Sequence, residues 1–121
     1  MKELENQLKL IISNLETTYP EFHFRLSTSS FDGENISGYS IYLDSKNINY
    51  NRYIVEILSD NNKGNFPMKI NFNTLNTKEM IFSYDLDNLI RVLNMLITSK
   101  KLKNVIDKIK EMEEIELKSR I

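Results

Sequence analysis

The segments GYSIYLD at positions 38–44 and YIVEILS at positions 53–59 contain the pattern around which the rest of the chain is organised. In each segment, side chains alternate with a period of two, which is typical of a strand with one buried face. The polar segment SKNINYNR joins them, so together they predict an antiparallel hairpin. The core-facing residues would be Tyr39, Ile41, Leu43, Tyr53, Val55 and Ile57.

Patterns of the same kind flank this hairpin on both sides. From position 2 to 18, apolar residues recur at helical spacing, and this predicted helix ends at Tyr19-Pro20 because the residue before proline is disfavoured in the α region. Three further segments alternate with a period of two: residues 22–27, 66–73 and 79–84. Five strands joined by short connections predict an antiparallel meander.

The C-terminal third contains two helical stripes that are out of phase. Asp85 can cap the first helix, because its carboxylate can accept the free amides of the first turn. At about 100° per residue, the apolar stripe that starts at Leu102 lies roughly 140° around the helix from the stripe after Asp85. We therefore predict two helices that meet between Thr98 and Lys101, with Ser99 as the second cap.

Length and composition favour a single α+β domain over residues 1–121. It would consist of an N-terminal helix, a five-stranded antiparallel meander sheet and two C-terminal helices packed on one face. A chain of 121 residues buries about two-thirds of its unfolded surface in one core. The predicted core contains Leu8, Ile11, Leu15, Phe24, Ile41, Val55, Ile57, Ile70, Phe82, Leu93 and Ile97.

The sequence contains no motif for catalysis, metal binding or phosphate binding. It has no cysteine and one histidine, His23, and its glycines do not form a phosphate-binding loop. The hairpin could bring Asp44 and Glu56 together, but charged residues on the outward face of a strand are the norm. We therefore predict a non-enzymatic protein without cofactor or metal.

Composition also bears on compartment and source. The net charge of −1 gives no overall field that would attract nucleic acid or an anionic membrane. Without cysteine, an apolar leader or a long apolar run, the chain is expected to be cytoplasmic. Alanine is absent, while Asn, Ile and Lys, whose codons are rich in A and T, are abundant. This indicates an AT-rich genome, such as that of a low-GC bacterium or its phage.

The outward face of the hairpin is more apolar than the free face of a sheet covered by helices on one side should be. Aromatic, aliphatic and arginine side chains in a polar surround are typical of a protein-binding surface. We predict that another protein, or a second copy of the chain in a homodimer, binds through Tyr42, Arg52, Ile54, Glu56 and Leu58. The alternative is that a helix or loop of the same chain covers this face.

Lys100, Lys101 and Lys103, at the start of the last predicted helix, support a second hypothesis. These lysines could contact the phosphates of a nucleic acid. An acidic block at positions 111–116 follows, however, and mixed-charge helices are usually solvated faces. The leading hypothesis is a protein-binding module of the inhibitor, immunity or chaperone-like kind, and the alternative is a nucleic-acid-binding accessory protein.

Overall fold

A computed structural model of the protein describes residues 2–30, 36–46, 51–59, 65–73 and 78–120, without the side chains of residues 51 and 52. The predicted α+β architecture is confirmed, since one helix, five strands and two helices follow one another in that order. The elements are α1 (Lys2–Thr18), β1 (Phe22–Ser30), β2 (Ile36–Ser45), β3 (Asn51–Ser59), β4 (Met68–Asn73), β5 (Lys78–Ser83), α2 (Leu86–Ile97) and α3 (Lys100–Ser119).

The five strands form one antiparallel sheet in the order β1-β2-β3-β4-β5, so each strand pairs with its neighbour in the sequence. The two edges of the sheet are therefore β1 and β5. Helix α1 lies against β1 and α2, and α2 lies against β5 and α3. Apolar side chains from all three helices and from the inner side of the sheet form one core.

Helix α3 crosses the sheet and is fixed near both edges. At its start, the ammonium of Lys101 pairs with Glu79 of β5. Further along, Lys110 lies 2.5 Å from the carboxylate of Glu21, just before β1, and this hydrogen bond lowers the pKa of Glu21. Between these two ion pairs, Leu102, Val105, Ile106 and Ile109 of α3 are buried in the core.

Both predicted helix caps are present. The side chain of Asp85 accepts a hydrogen bond from the amide of Asn88 at 2.8 Å. The Ser99 hydroxyl accepts one from the amide of Leu102 at 3.3 Å. Because these oxygens satisfy amides that have no partner within the helix, they define where α2 and α3 begin. The predicted division into two helices near Thr98 is confirmed.

A β-bulge in the central hairpin reverses the facing predicted for the first part of β3. The pair Ile41–Val55 is followed by the pair Tyr42–Tyr53, so the register skips Ile54. In a bulge, two residues of one strand oppose one residue of the other, which shifts the alternation by one. Ile54 is 2% exposed and lies in the core with Val55. The prediction that Ile54 faces outward is therefore wrong, and so is the prediction that Tyr53 faces the core.

The last strand also faces the opposite way from the prediction. Ile81 pairs with Ile70, and Ser83 pairs with Met68; both partners are buried on the helix side. Opposed residues of antiparallel strands point to the same face, so Ile81 and Ser83 face the helices and Phe82 faces away from them. The predicted placement of Phe82 in the core is thus wrong. The other predicted core residues are all buried.

Candidate protein-binding face

The side of the sheet away from the helices, which we call the open face, carries, among others, three rows of opposed side chains. The rows consist of Gly38, Leu58, Lys69 and Phe82; Ser40, Glu56, Asn71 and Met80; and Arg25, Tyr42 and Tyr53. Apart from Gly38 and Asn71, these residues are half-buried or exposed. Within the described part of the chain, no helix therefore covers this face.

Contacts between cations and aromatic rings hold the third row together. The guanidinium of Arg25 lies 4.5 Å from the centre of the Tyr42 ring. The Tyr42 and Tyr53 rings meet edge-on, with their centroids 6.4 Å apart, and the ammonium of Lys78 lies 5.6 Å from the centre of the Tyr53 ring. Such contacts are attractive because the face of a ring carries partial negative charge. Tyr42, predicted to contact a partner, is thus already engaged within the chain.

Hydrogen bonds to both cations of this row favour their charged forms. Asp44 accepts a hydrogen bond from Nε of Arg25 at 3.1 Å, and this bond, followed by the charge of Asp44, raises the pKa of Arg25. A hydrogen bond with the Tyr53 side chain raises the pKa of Lys78, with a smaller contribution from the charge of Glu56. At one end of the row the charge of Arg25 is balanced by Asp44, and at the other end Lys78 carries a positive charge beside the Tyr53 ring.

Glu56 and Leu58, two more of the predicted partner-binding residues, lie on the open face and contact their neighbours. The side-chain amide of Asn71 donates a hydrogen bond to the Glu56 carboxylate at 2.9 Å, which satisfies a buried amide. Leu58 folds over Gly38, where an added Cβ would lie 2.6 Å from the leucine side chain. These contacts tie the two residues to the sheet, although Leu58 stays half-exposed.

The remaining two predicted partner-binding residues are not part of the described open face. Ile54 is in the core because of the bulge. Arg52 pairs with Leu43 through β3, and its side chain lies outside the described residues. The structure thus places three of the five, Tyr42, Glu56 and Leu58, on one surface.

The most exposed apolar side chains of this surface come from β5 and the residue after it, and they include Phe82, which the sequence analysis placed in the core. Met80 is 56% exposed, Phe82 is 43% exposed and Tyr84, directly after the strand, is 73% exposed. The alternation at these positions was visible in the sequence. Because Ile81 between them is also apolar, alternation by itself does not indicate which side of the strand is buried.

The two sheet edges differ in how they are protected. At β1, the Glu16 carboxylate of α1 lies 3.4 Å from the amide of Phe24 and accepts its hydrogen bond. At β5, the charged side chains are confined to Lys78 and Glu79 at one end. Free strand edges pair readily with other chains unless charges, prolines or a covering element prevent it. The edge of β5 is therefore the one with less protection over the described strands.

The alternative site, at the start of α3, is partly neutralised. Lys100, Lys101 and Lys103 are all exposed, but the ammonium of Lys101 is ion-paired with Glu79. The first turn of α3 contains no acidic residue, although a helix N-terminus favours negative charge. Lys101, one of the three predicted phosphate-binding lysines, is thus paired with a residue of the sheet.

The residues considered for acid–base chemistry have other partners. Asp44 is bonded to Arg25, and Glu56 to Asn71, rather than to each other. His23 is more than half exposed, with Nδ1 3.5 Å from the Glu16 carboxylate. Among the residues that the structure describes, no three His, Asp or Glu side chains are grouped as a metal site requires.

None of the helices, over the described ranges, combines the length and apolar character needed to span a membrane. Comparison with known proteins found no protein-family model, no curated protein and no solved structure that matches this chain.

Proposed function

We propose that this protein is a non-enzymatic protein-binding module that holds its partner on the β5 side of the open face. The observation that carries the proposal is the exposure of Met80 and Phe82 on the outward side of an edge strand, and of Tyr84 directly after it. The free face of an antiparallel sheet is normally polar. Contiguous exposed apolar side chains mark interaction sites, and aromatic residues and methionine are enriched in protein interfaces.

The neighbouring side chains support binding as the role of this face. Leu58 is a partly exposed apolar residue in the same row as Phe82, and Lys69 lies between the two. The cations Arg25 and Lys78 and the carboxylate of Glu56 are held by contacts within the sheet. A rim of oriented charges beside an apolar patch is the usual anatomy of a protein interface.

This proposal includes the biological class of the protein. A small α+β chain from an AT-rich source suits an inhibitor, an immunity protein or a chaperone-like accessory protein of a bacterium or phage. A chain without cysteine needs no oxidising compartment to fold, so we propose that it acts in the cytoplasm. The nucleic-acid alternative has weaker support, because Glu79 neutralises Lys101.

Site-specific photo-crosslinking tests the proposed binding face. A photoreactive amino acid replaces Phe82 in one variant and Leu10 in a matched control, since Leu10 is an exposed apolar residue on α1. In cells of the source organism, irradiation of the position-82 variant should give discrete protein adducts, and the control should not. Equal labelling from both positions, or no adduct from position 82, would contradict the proposal.

A further inference from the structure

The chemistry of β5 indicates which partner fits this edge. We infer that a second copy of this chain pairs with β5 in an antiparallel, two-fold-symmetric arrangement, so that the two sheets become one. The inference rests on the proposed function, because it uses the same exposed side chains. It adds the identity of the partner and the register of the contact.

Symmetry restricts the registers that are available. In an antiparallel pair, directly opposed residues point to the same face. Residues on one face of a strand differ by an even number, so the numbers of two opposed residues from identical strands must add to an even value. The two-fold axis then passes through a residue that opposes its own copy. An axis at Glu79 would bring two carboxylates together, which is unfavourable.

An axis at Ile81 places apolar residues opposite one another at the centre of β5 and brings no like charges together. On the open face, Met80 opposes Phe82 of the second copy, and by symmetry this apolar pair occurs twice. On the helix side, Ile81 meets its own copy. At the ends, Glu79 opposes Ser83 of the second copy and Lys78 opposes Tyr84 of the second copy.

The pair of Lys78 with Tyr84 of the second copy is favourable as well. The aliphatic stem of a lysine can cover an aromatic ring while its ammonium remains in water or interacts with a ring face. The ammonium of Lys78 already lies near the Tyr53 ring, so its stem is the part available to Tyr84 of the second copy. With an axis at Phe82, Lys78 and Glu79 would face positions 86 and 85 of the second copy, which lie after the end of β5.

The other edge of the sheet does not offer the same contact. Glu16 already accepts a hydrogen bond from the amide of Phe24 on β1. The last three residues of β1 are Thr28, Ser29 and Ser30, which are polar and exposed. Symmetric pairing through β1 would therefore bury little apolar surface, whereas pairing through β5 covers the sides of Met80 and Phe82.

Single-cysteine variants test the register directly, because the chain has no cysteine of its own. Opposed residues have Cβ atoms about 4.5–5.5 Å apart, close to the roughly 3.5–4.5 Å of a disulfide. Ile81→Cys should therefore form a covalent dimer on mild oxidation, and faster than Met80→Cys or Phe82→Cys, whose thiols are offset from the axis. Faster dimer formation by either of the other two variants would overturn the register.

The oligomeric state of the unmodified chain tests the partner. Sedimentation equilibrium should show a monomer–dimer equilibrium, and Met80→Lys should raise its dissociation constant by about tenfold or more, because anchors at the centre of an interface carry most of its energy. Leu10→Lys, which adds the same charge on α1, should leave the constant unchanged. Thermal melts at low protein concentration verify that both variants fold.

The outcomes separate this inference from the proposed function. A wild-type chain that stays monomeric at the concentrations used for oxidation overturns the dimer. If position 82 then still gives adducts with another protein, the proposed function stands without it. If position 82 gives no adduct of any kind, both are wrong.

Discussion

Replacing Ile54 by alanine tests the β-bulge, because the bulge is what brings this side chain into the core. Ile54 is 2% exposed, whereas Leu58, on the same strand, is half-exposed on the open face. Truncating a buried isoleucine to alanine costs about 2–5 kcal/mol of unfolding free energy, since a cavity remains. Leu58→Ala removes a side chain that is only partly out of water and should cost about 1 kcal/mol. A regular strand without the bulge would reverse this order.

Urea unfolding followed by far-ultraviolet circular dichroism measures both variants, because the chain has no tryptophan. With a denaturant slope of about 2 kcal/mol per molar urea, Ile54→Ala should lower the midpoint by about 1–2.5 M. Leu58→Ala should lower it by about half a molar. All samples are compared at one protein concentration. A midpoint for Ile54→Ala equal to or above that of Leu58→Ala would refute the assignment of Ile54 to the core.

Three further substitutions test other parts of the structure. Gly38→Ala should lower the unfolding free energy by about 1–3 kcal/mol, because an added Cβ would lie 2.6 Å from the backbone oxygen of Ile57; a urea midpoint within error of wild type would contradict this. Burial, and then the charge of Glu5, raise the pKa of the Tyr39 hydroxyl. The unfolded chain therefore releases this proton first, and stability should fall as pH rises through about 10. Tyr39→Phe should reduce that alkaline loss of melting temperature, and an unchanged pH profile would argue against it. Lys100→Glu should stabilise the fold by about 0.3–1 kcal/mol, because a helix N-terminus favours negative charge. Melts at two salt concentrations measure this gain, which should shrink with salt.

The helices and their ends were predictable because the signals for them are local. The apolar stripe of α1 spans one helix face, and its predicted bounds agree with the observed ones. Asp85 and Ser99 act on amides only three residues away, so neither cap depends on distant parts of the chain. The phase difference between the stripes of α2 and α3 likewise follows from residue spacing alone.

The candidate site was predicted only in part. The sequence indicated that the free face of the hairpin carries apolar side chains, and Tyr42 and Leu58 do lie there. It placed Ile54 on that face because period-two alternation assumes a regular strand. One extra residue in β3 changes the facing of every residue before it, and nothing local to Ile54 marks the bulge.

The sequence by itself determined the order of the elements, the helix caps and the absence of chemical motifs, because each depends on residue type and short spacing. The tertiary structure decided which side of β3 and β5 is buried. For β5, apolar residues occur on both sides of the strand, so its facing follows from pairing with β4, where Ile81 opposes Ile70, which is buried on the helix side. Met80 and Phe82 are left outside for the same reason, since opposed residues must share a face.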